Sequence, residues 1–514
     1  MKYTIGMDIG GTNTDAVLLD PNNKIIASVK SPTTRDISSG VGNALKKLLE
    51  MANAQADSVR AIYLGTTHAT NAILQGRDLF KVGLIRIAGH HPDSLPPCYT
   101  WPQELKETVF VGSVTVGGGY ECHSAPITPF DRAEVRAAVE KLLALGAESL
   151  AIIGVFSPLK YDQELEAAQI ALEVDDIPLS LSHHVGGIGF IERENTALLN
   201  AALKKVMAKG FRDIETTLSN LQLNCPLYIT QNNGCIISLE EAIDIPVLTI
   251  SAGPTNSFIG ASRLTGIQDA VIVDIGGTST DVGLVKKGFP KRSLNTSNIG
   301  GIRLNFPMPD VLSIALGGGS YVEVHQNNRF QIGPQSAGMN VLTEAFCFGG
   351  DRLTFTDVAV AGGHAQINGA NAQQVKIDTQ QAQSILKHAF ERIENEVILM
   401  EAGQRDVPVL LVGGGAALMP KEMLSNRYMV PEYAGVANAF GAALAEISGT
   451  VDTVVSLTNR EAVLQRLQEE AIDAAVEKGA RRDTTRVIDL QIIPYHYMPD
   501  HLARITVVAA GRQN

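Results

Sequence analysis

Three absences bound this chain before any motif is read. Positive charge is in deficit: 42 Lys and Arg stand against 54 Asp and Glu, a net charge of −12. A nucleic-acid backbone needs a basic footprint, so nucleic acid is excluded as the main partner. Cysteine is scarce, and Cys98, Cys122, Cys225, Cys235 and Cys347 are scattered, odd in number and without a close metal-binding pair. That usage argues for reduced thiols in a cytoplasm and against a disulfide framework. Long apolar runs are also missing. The most apolar window, residues 407–419, is short and broken by three glycines, well under the roughly 20 residues of a membrane-crossing helix. The N-terminus has no charged stretch followed by a long apolar one, and Asp8 comes too early for a secretory leader.

What is present is a repeat. Asp8-Ile-Gly-Gly-Thr-Asn-Thr-Asp15 returns as Asp274-Ile-Gly-Gly-Thr-Ser-Thr-Asp281. Each copy follows a short apolar run and precedes another β-rich one, so each reads as the tight turn of a hairpin. Glycine lets the backbone bend sharply and approach a ligand closely. Consecutive N–H groups and Thr hydroxyls then form a concave donor surface suited to phosphate oxygens. An Asp at the strand end can hold Mg²⁺, which takes few carboxylates and keeps its waters. One Gly-Gly-Thr turn is ordinarily just a turn. Two copies in the same strand context point to two halves facing one nucleotide.

The rest of the chain reads as α/β. At 514 residues it exceeds one core, and two or more domains are expected. A helix is expected over 40–53, then a strand ending in Gly65-Thr-Thr-His-Ala-Thr-Asn71, where Thr66, Thr67, His68 and Asn71 are candidates for ligand contact or helix capping. Residues 89–130 look irregular. Their His90, His91 and Asp93 suggest metal only weakly, since adjacent residues of a strand point to opposite faces. Residues 131–184 alternate helix and strand as a parallel βαβ unit. Small residues Ala197, Ala201 and Ala202 mark a helix expected to pack on a second small-residue helix over 435–448. Gln231-Asn-Asn-Gly234 is a polar strand end. Ser251-Ala-Gly-Pro254 opens a helix with free N–H groups. Gly413, Gly414 and Gly415 follow a strand and permit flat contact with an adenosine. Residues 450–514 read as a small appended β-α-β module.

Together these pieces resemble the superfamily of actin, sugar kinases and heat-shock chaperone ATPases. More narrowly, residues 4–448 look like the hydantoinase A / 5-oxoprolinase family. The resemblance rests on both repeats, Gly65–Asn71, Ser251–Pro254, Asp310 with Gly317–Ser320, Gly333–Gly338 and Gly413–Gly415. It departs at His68, where the family has Val, and at 339–344, where the family is rich in Pro and Gly. The resemblance implies two ribonuclease-H-like halves closing on Mg-ATP, set at 1–200 (with an insertion at about 75–190) and 201–449. It implies ATP-dependent opening of a cyclic amide or imide, such as a hydantoin, oxoproline or lactam. Asp8 and Asp274 would manage Mg²⁺. Gly10, Gly11, Thr12 and Asn13, with Gly276, Gly277, Thr278 and Ser279, would cradle the triphosphate. An oligomer and a separate hydantoinase B-like subunit are the expected partners. A small-molecule kinase, with Asp274 as base, and an ATP-gated regulatory subunit remain open beside it.

Overall fold

The computed structural model describes residues 2–33, 37–89, 95–293, 297–306, 308–325, 329–401, 403, 407–420, 422, 424–495 and 501–513. The His90, His91 and Asp93 group lies outside the described residues.

The chain opens with a meander. β1 (Tyr3–Ile9), β2 (Asn13–Leu19) and β3 (Ile25–Pro32) are antiparallel neighbours, and β4 (Val59–Thr66) returns parallel to β1. The helix Ile37–Ala52 makes that crossover and buries Val41, Leu45 and Leu48. An insertion follows: β5 (Val82–Ile87), β6 (Phe110–Val116), β7 (Ser149–Gly154) and β8 (Leu179–Leu181) form an all-parallel sheet in the order β6-β5-β7-β8. Its strands are near-continuous apolar runs because helices cover both faces. Then β9 (Leu227–Thr230) joins β4 in parallel, and β10 (Cys235–Ser238) turns back on β9.

The second half repeats the first. β11 (Ala270–Ile275), β12 (Thr280–Lys286) and β13 (Phe289–Pro290) are an antiparallel meander. β14 (Ser297–Ile299) with β15 (Ile302–Leu304), and β17 (Ser320–His325) with β18 (Arg329–Ser336), are hairpins, while β16 (Val311–Ile314) pairs with β12. β19 (Val409–Val412) lies parallel to β11, and β20 (Tyr428–Met429) parallel to β19. The orders β3-β2-β1-β4-β9 and β13-β12-β11-β19-β20 are one topology used twice, the ribonuclease-H-like arrangement. Even the registers agree: Asp8 faces Asp15 and Ile9 faces Thr14, as Asp274 faces Asp281 and Ile275 faces Thr280.

Three expectations need correction. The cut expected at residue 200 falls inside one helix, Phe190–Asn220. Residues 227–238, expected in the second half, belong to the first sheet. The tail is not a separate module either. β21 (Glu446–Ser456) pairs in parallel with β10, and β22 (Arg486–Pro494) and β23 (Leu502–Gly511) continue outward, giving a nine-stranded sheet. A sheet edge with open N–H and C=O groups recruits strands whatever their distance in sequence. Finally, the small-residue helix is short, Ala437–Ala443, and its main neighbour is the helix Ala252–Thr265, not the Ala-rich stretch at 197–202. Glycine decides this. A Cβ on Gly260 would fall on the backbone of Ala437, and one on Gly441 on the backbone of Asn256. The two helices therefore cross at backbone contact. The helix Phe190–Asn220 instead buries Ala197, Ala201 and Ala202 among elements of the first half and the insertion.

Candidate functional site

The two Gly-Gly turns meet. Each is closed by the same bond: Gly10 N–H to Asn13 O at 3.0 Å, and Gly276 N–H to Ser279 O at 2.9 Å. Gly277 lies directly against Thr12, so that a Cβ added at Gly277 would run into the Thr12 side chain. Each turn is braced from behind. Thr33 donates from its N–H to Thr12 O (2.9 Å) and from its hydroxyl to Gly10 O (2.8 Å). Gly318 and Gly319 donate to Gly276 O (3.0 Å) and Gly277 O (2.7 Å). A side chain on Gly317 would strike the backbone of residues 276–278. Among the described residues, the N–H groups of Gly11, Thr12, Gly277 and Thr278 donate to nothing. Four unused donors on two abutting turns fit a polyanion.

Four carboxylates stand at the strand ends beside these turns. Asp8 and Asp15 are buried, and Asp274 and Asp281 partly so. Asn438 donates to Asp8 Oδ2 and Asp15 Oδ2, both at 3.0 Å, and Asn256 reaches Asp8 Oδ1 at 3.4 Å. Lys30 clamps Asp15 at 2.7 and 2.8 Å and also donates to the carbonyl of Gly435 at 3.0 Å, so it ties the first half to the second. Burial, with the charge of Asp15 behind it, pushes the Asp8 carboxyl up to about 7, against the pull of the two amides. Burial also raises Asp274, opposed by its bond from Ser257 and by Lys30. Asp281 rises to about 6 through burial and the charge of Asp274, although Ser313 donates to it. Crowded carboxylates starved of water, with one ammonium among them, fit a divalent cation. Asp8 and Asp274 are the carboxylates that could hold a hydrated Mg²⁺, which takes few protein ligands; among the described residues no group of three His, Cys, Asp or Glu is placed to hold a metal by itself.

The other expected residues are placed as follows. Gly413 packs on Asp274 and Ile275, Gly415 donates to Ile275 O at 2.7 Å, and Gly414 lies 3.2 Å, measured from an added Cβ, from the Lys30 stem. Gly413 and Gly415 thus back the second turn, while Gly414 faces Lys30 of the first half. Thr66 and His68 bond to one another through Oγ1 and Nδ1. Thr67 donates to Ile9 O at 3.2 Å, and Asn71 donates to Thr67 Oγ1 at 3.2 Å. These four brace the corner behind Asp8. His68 Nε2 alone is buried without a partner, and burial lowers that imidazole to about 4, so it is neutral at pH 7. Sequence reading missed Lys30, Asn256, Ser257 and Asn438. The one available signal was polar residues inside small-residue helices, such as Asn438 in Gly-Val-Ala-Asn-Ala.

Two family models match, the hydantoinase/oxoprolinase N-terminal region over residues 4–175 and hydantoinase/oxoprolinase over residues 193–398. The chain belongs to the hydantoinase/oxoprolinase family. It is similar to the caprolactamase subunit alpha of Pseudomonas jessenii, at 26% identity over 93% of this chain and 76% of that protein. It is also similar to the acetophenone carboxylase gamma subunit of Aromatoleum aromaticum, at 26% identity over 84% of this chain and 65% of that protein. The crystal structure of the ATP-dependent caprolactamase from Pseudomonas jessenii shares the fold, with a TM-score of 0.78 at 21% identity over all of this chain and 88% of the other. Among the described residues no helix is long and apolar enough to cross a membrane. All five cysteines are free thiols.

Proposed function

We propose that this chain is the ATP-using subunit of a cyclic amidohydrolase, which opens a lactam, imide or hydantoin-type ring by phosphorylating the amide oxygen. The observation that carries the reading is the contact of two matched turns, with four unused N–H donors, beside buried Asp8 and half-buried Asp274. Family membership supplies the reaction class. An unstrained amide is a poor electrophile, and bound ATP supplies the phosphoryl group that turns its oxygen into a leaving group. Gly10 to Asn13 and Gly276 to Ser279 hold the phosphates in line. Asp8 and Asp274 hold Mg²⁺ directly or through water, and Lys30 keeps Asp15 neutralised so that it does not compete. The ring lies in a cavity of about 350 Å³ walled by Thr70, Ser251, Asn298, Asp310 and Ser313, and Ser313 connects it to Asp281. Both relatives are named as subunits, and a hydantoinase B-like chain is the partner we assign.

A second reading has one observation in its favour, the match to a carboxylase subunit. There the phosphorylated oxygen would belong to a ketone enolate. The experiment is ATP hydrolysis measured against hydantoins, 5-oxoproline, lactams and ketones with bicarbonate, with and without the partner chain. Ring-dependent release of phosphate and the opened acid supports the amide reading. Ketone-dependent carboxylate formation replaces it.

Protonation gives an independent check. Asp8 is raised from its ordinary 3.8 to about 7, so the uncharged carboxyl is the one the folded chain prefers. Its contribution to stability is full below the ordinary value and is lost as pH rises through about 7. A bound cation reverses that preference. Binding of Mg-ATP near pH 6 is therefore expected to release about one proton from Asp8, to which Asp274, also raised by burial, adds. Calorimetry in buffers of different ionisation enthalpy reads this directly, and a heat independent of buffer would remove Asp8 from the cation site.

A further inference from the structure

Two adjacent residues of one helix reach both matched acids, one each. The helix Ala252–Thr265 carries Asn256 and Ser257, 1% and 2% exposed. Asn256 Nδ2 donates to Thr230 Oγ1 at 3.0 Å and reaches Asp8 Oδ1 at 3.4 Å, so it holds two strand ends of the first half. Ser257 donates to Asp274, the equivalent acid of the second half. Successive helix positions point about 100° apart, so one rigid segment sends a polar group to each half.

The same segment is keyed to both halves beyond these bonds. On the first half, Thr255 Oγ1 donates to Asn232 O at 3.0 Å. On the second, Phe258 lies against Gly283 of β12, where an added Cβ would fall on the ring. Gly260 then seats the helix on the backbone of Ala437. The segment cannot slide along either sheet without losing these contacts. Helix stability and burial do not account for Asn and Ser at these positions. Both are poorer helix formers than Ala or Leu, and burying their polar groups costs free energy. Asn256 Oδ1 is even left buried without a partner. What the pair gains is a hold on both carboxylates.

We infer that Asn256 and Ser257 are positioning residues that together set the separation of Asp8 and Asp274, and through it which divalent cation accompanies the nucleotide. The inference rests on the Mg-ATP reading given above. Mg²⁺ demands near-ideal octahedral geometry with oxygens at about 2.0–2.1 Å, whereas Ca²⁺ takes them at about 2.3–2.6 Å in flexible arrangements. Acids fixed at one spacing favour the small, exacting ion. Once either acid is released, the larger and more tolerant ion loses less.

The test is calorimetric titration of a non-hydrolysable ATP analogue into the full chain, with Mg²⁺ or with Ca²⁺ present. The wild type is expected to bind more tightly with Mg²⁺. Ser257→Ala should weaken binding about tenfold with Mg²⁺ and less than about threefold with Ca²⁺. Asn256→Ala should move the ratio the same way by a smaller factor, because Asn438 still holds Asp8. Ser257→Thr keeps the hydroxyl and should restore the Mg²⁺ preference. A general loosening of the fold weakens both complexes alike, so the ratio of the two affinities is the readout. No Mg²⁺ preference in the wild type, or an unchanged ratio in Ser257→Ala whether both affinities fall or neither does, overturns the inference. Binding of the analogue that needs no cation in the wild type removes the cation site itself, and the inference with it, while leaving the phosphate turns in place.

Discussion

Asp274→Asn is expected to lower ATP turnover by about 10²–10³-fold, the size of losing one preorganised electrostatic partner, while the protein stays folded. The substitution keeps the shape of the side chain and its acceptor for Ser257, so packing is preserved. It also removes a charge that burial disfavours, so the thermal midpoint of the nucleotide-free chain should hold or rise at neutral pH. That opposite sign separates a catalytic loss from a folding loss. The site's symmetry extends the argument. Asp8 and Asp274 occupy equivalent registers of equivalent hairpins, but only Asp8 is bound by two amides. Asp8→Asn places an amide against those of Asn256 and Asn438, and it is expected to cost stability as well as turnover. Steady-state hydrolysis with a thermal melt on both variants decides the matter. Full turnover in Asp274→Asn would take this carboxylate out of the mechanism.

The contrast between what the sequence revealed and what it hid has a physical cause. The repeated turn was legible because its chemistry is local: a strand, two glycines, a hydroxyl and an acid within eight residues dictate a hairpin with its donors outward. The equivalence of the halves followed from that repeat. Lys30, Asn256 and Asn438 were not legible, because each reaches the site from a different element, and no spacing along the chain encodes that meeting. The tail shows the same limit. Its three strands and helix were readable from periodicity, with the helix found at Arg460–Glu477. Its partner was not, since pairing of β21 with β10 joins Cys235 to Glu446 across more than two hundred residues of sequence. Small-residue helices misled for a related reason. Ala and Gly announce that something packs closely but do not say what, and two such helices in one chain offered a pairing that the fold does not use. The substrate candidates at 66–71 were found close to the site, yet all four side chains there are occupied in bracing the corner, with His68 Nε2 left unpartnered.

Gly277→Ala should be nearly as damaging as loss of the acid, and for a steric reason. The residue is not at positive φ, so alanine is compatible with the backbone and no strain arises there. What opposes the methyl is Thr12, whose Cβ and Cγ2 would lie 3.0 and 3.1 Å from it with the hydroxyl closer still. Both positions belong to tight, closed turns braced by Thr33 and by Gly318 and Gly319, so neither can yield without giving up its hydrogen bonds. The turns must shift apart, and the four unused N–H groups move relative to one another. Misplacing such a constellation by about 1 Å costs on the order of 10²-fold in rate. Thr12→Ala alone removes one hydroxyl donor and is expected to cost about tenfold. If contact between the turns is what matters, the double variant Gly277→Ala with Thr12→Ala recovers part of the loss, binding ATP better than Gly277→Ala alone. Such non-additivity is the mark of two residues in direct contact. Affinities that simply add would show that the turns act separately, and the pairing of the two halves across one nucleotide would lose its basis.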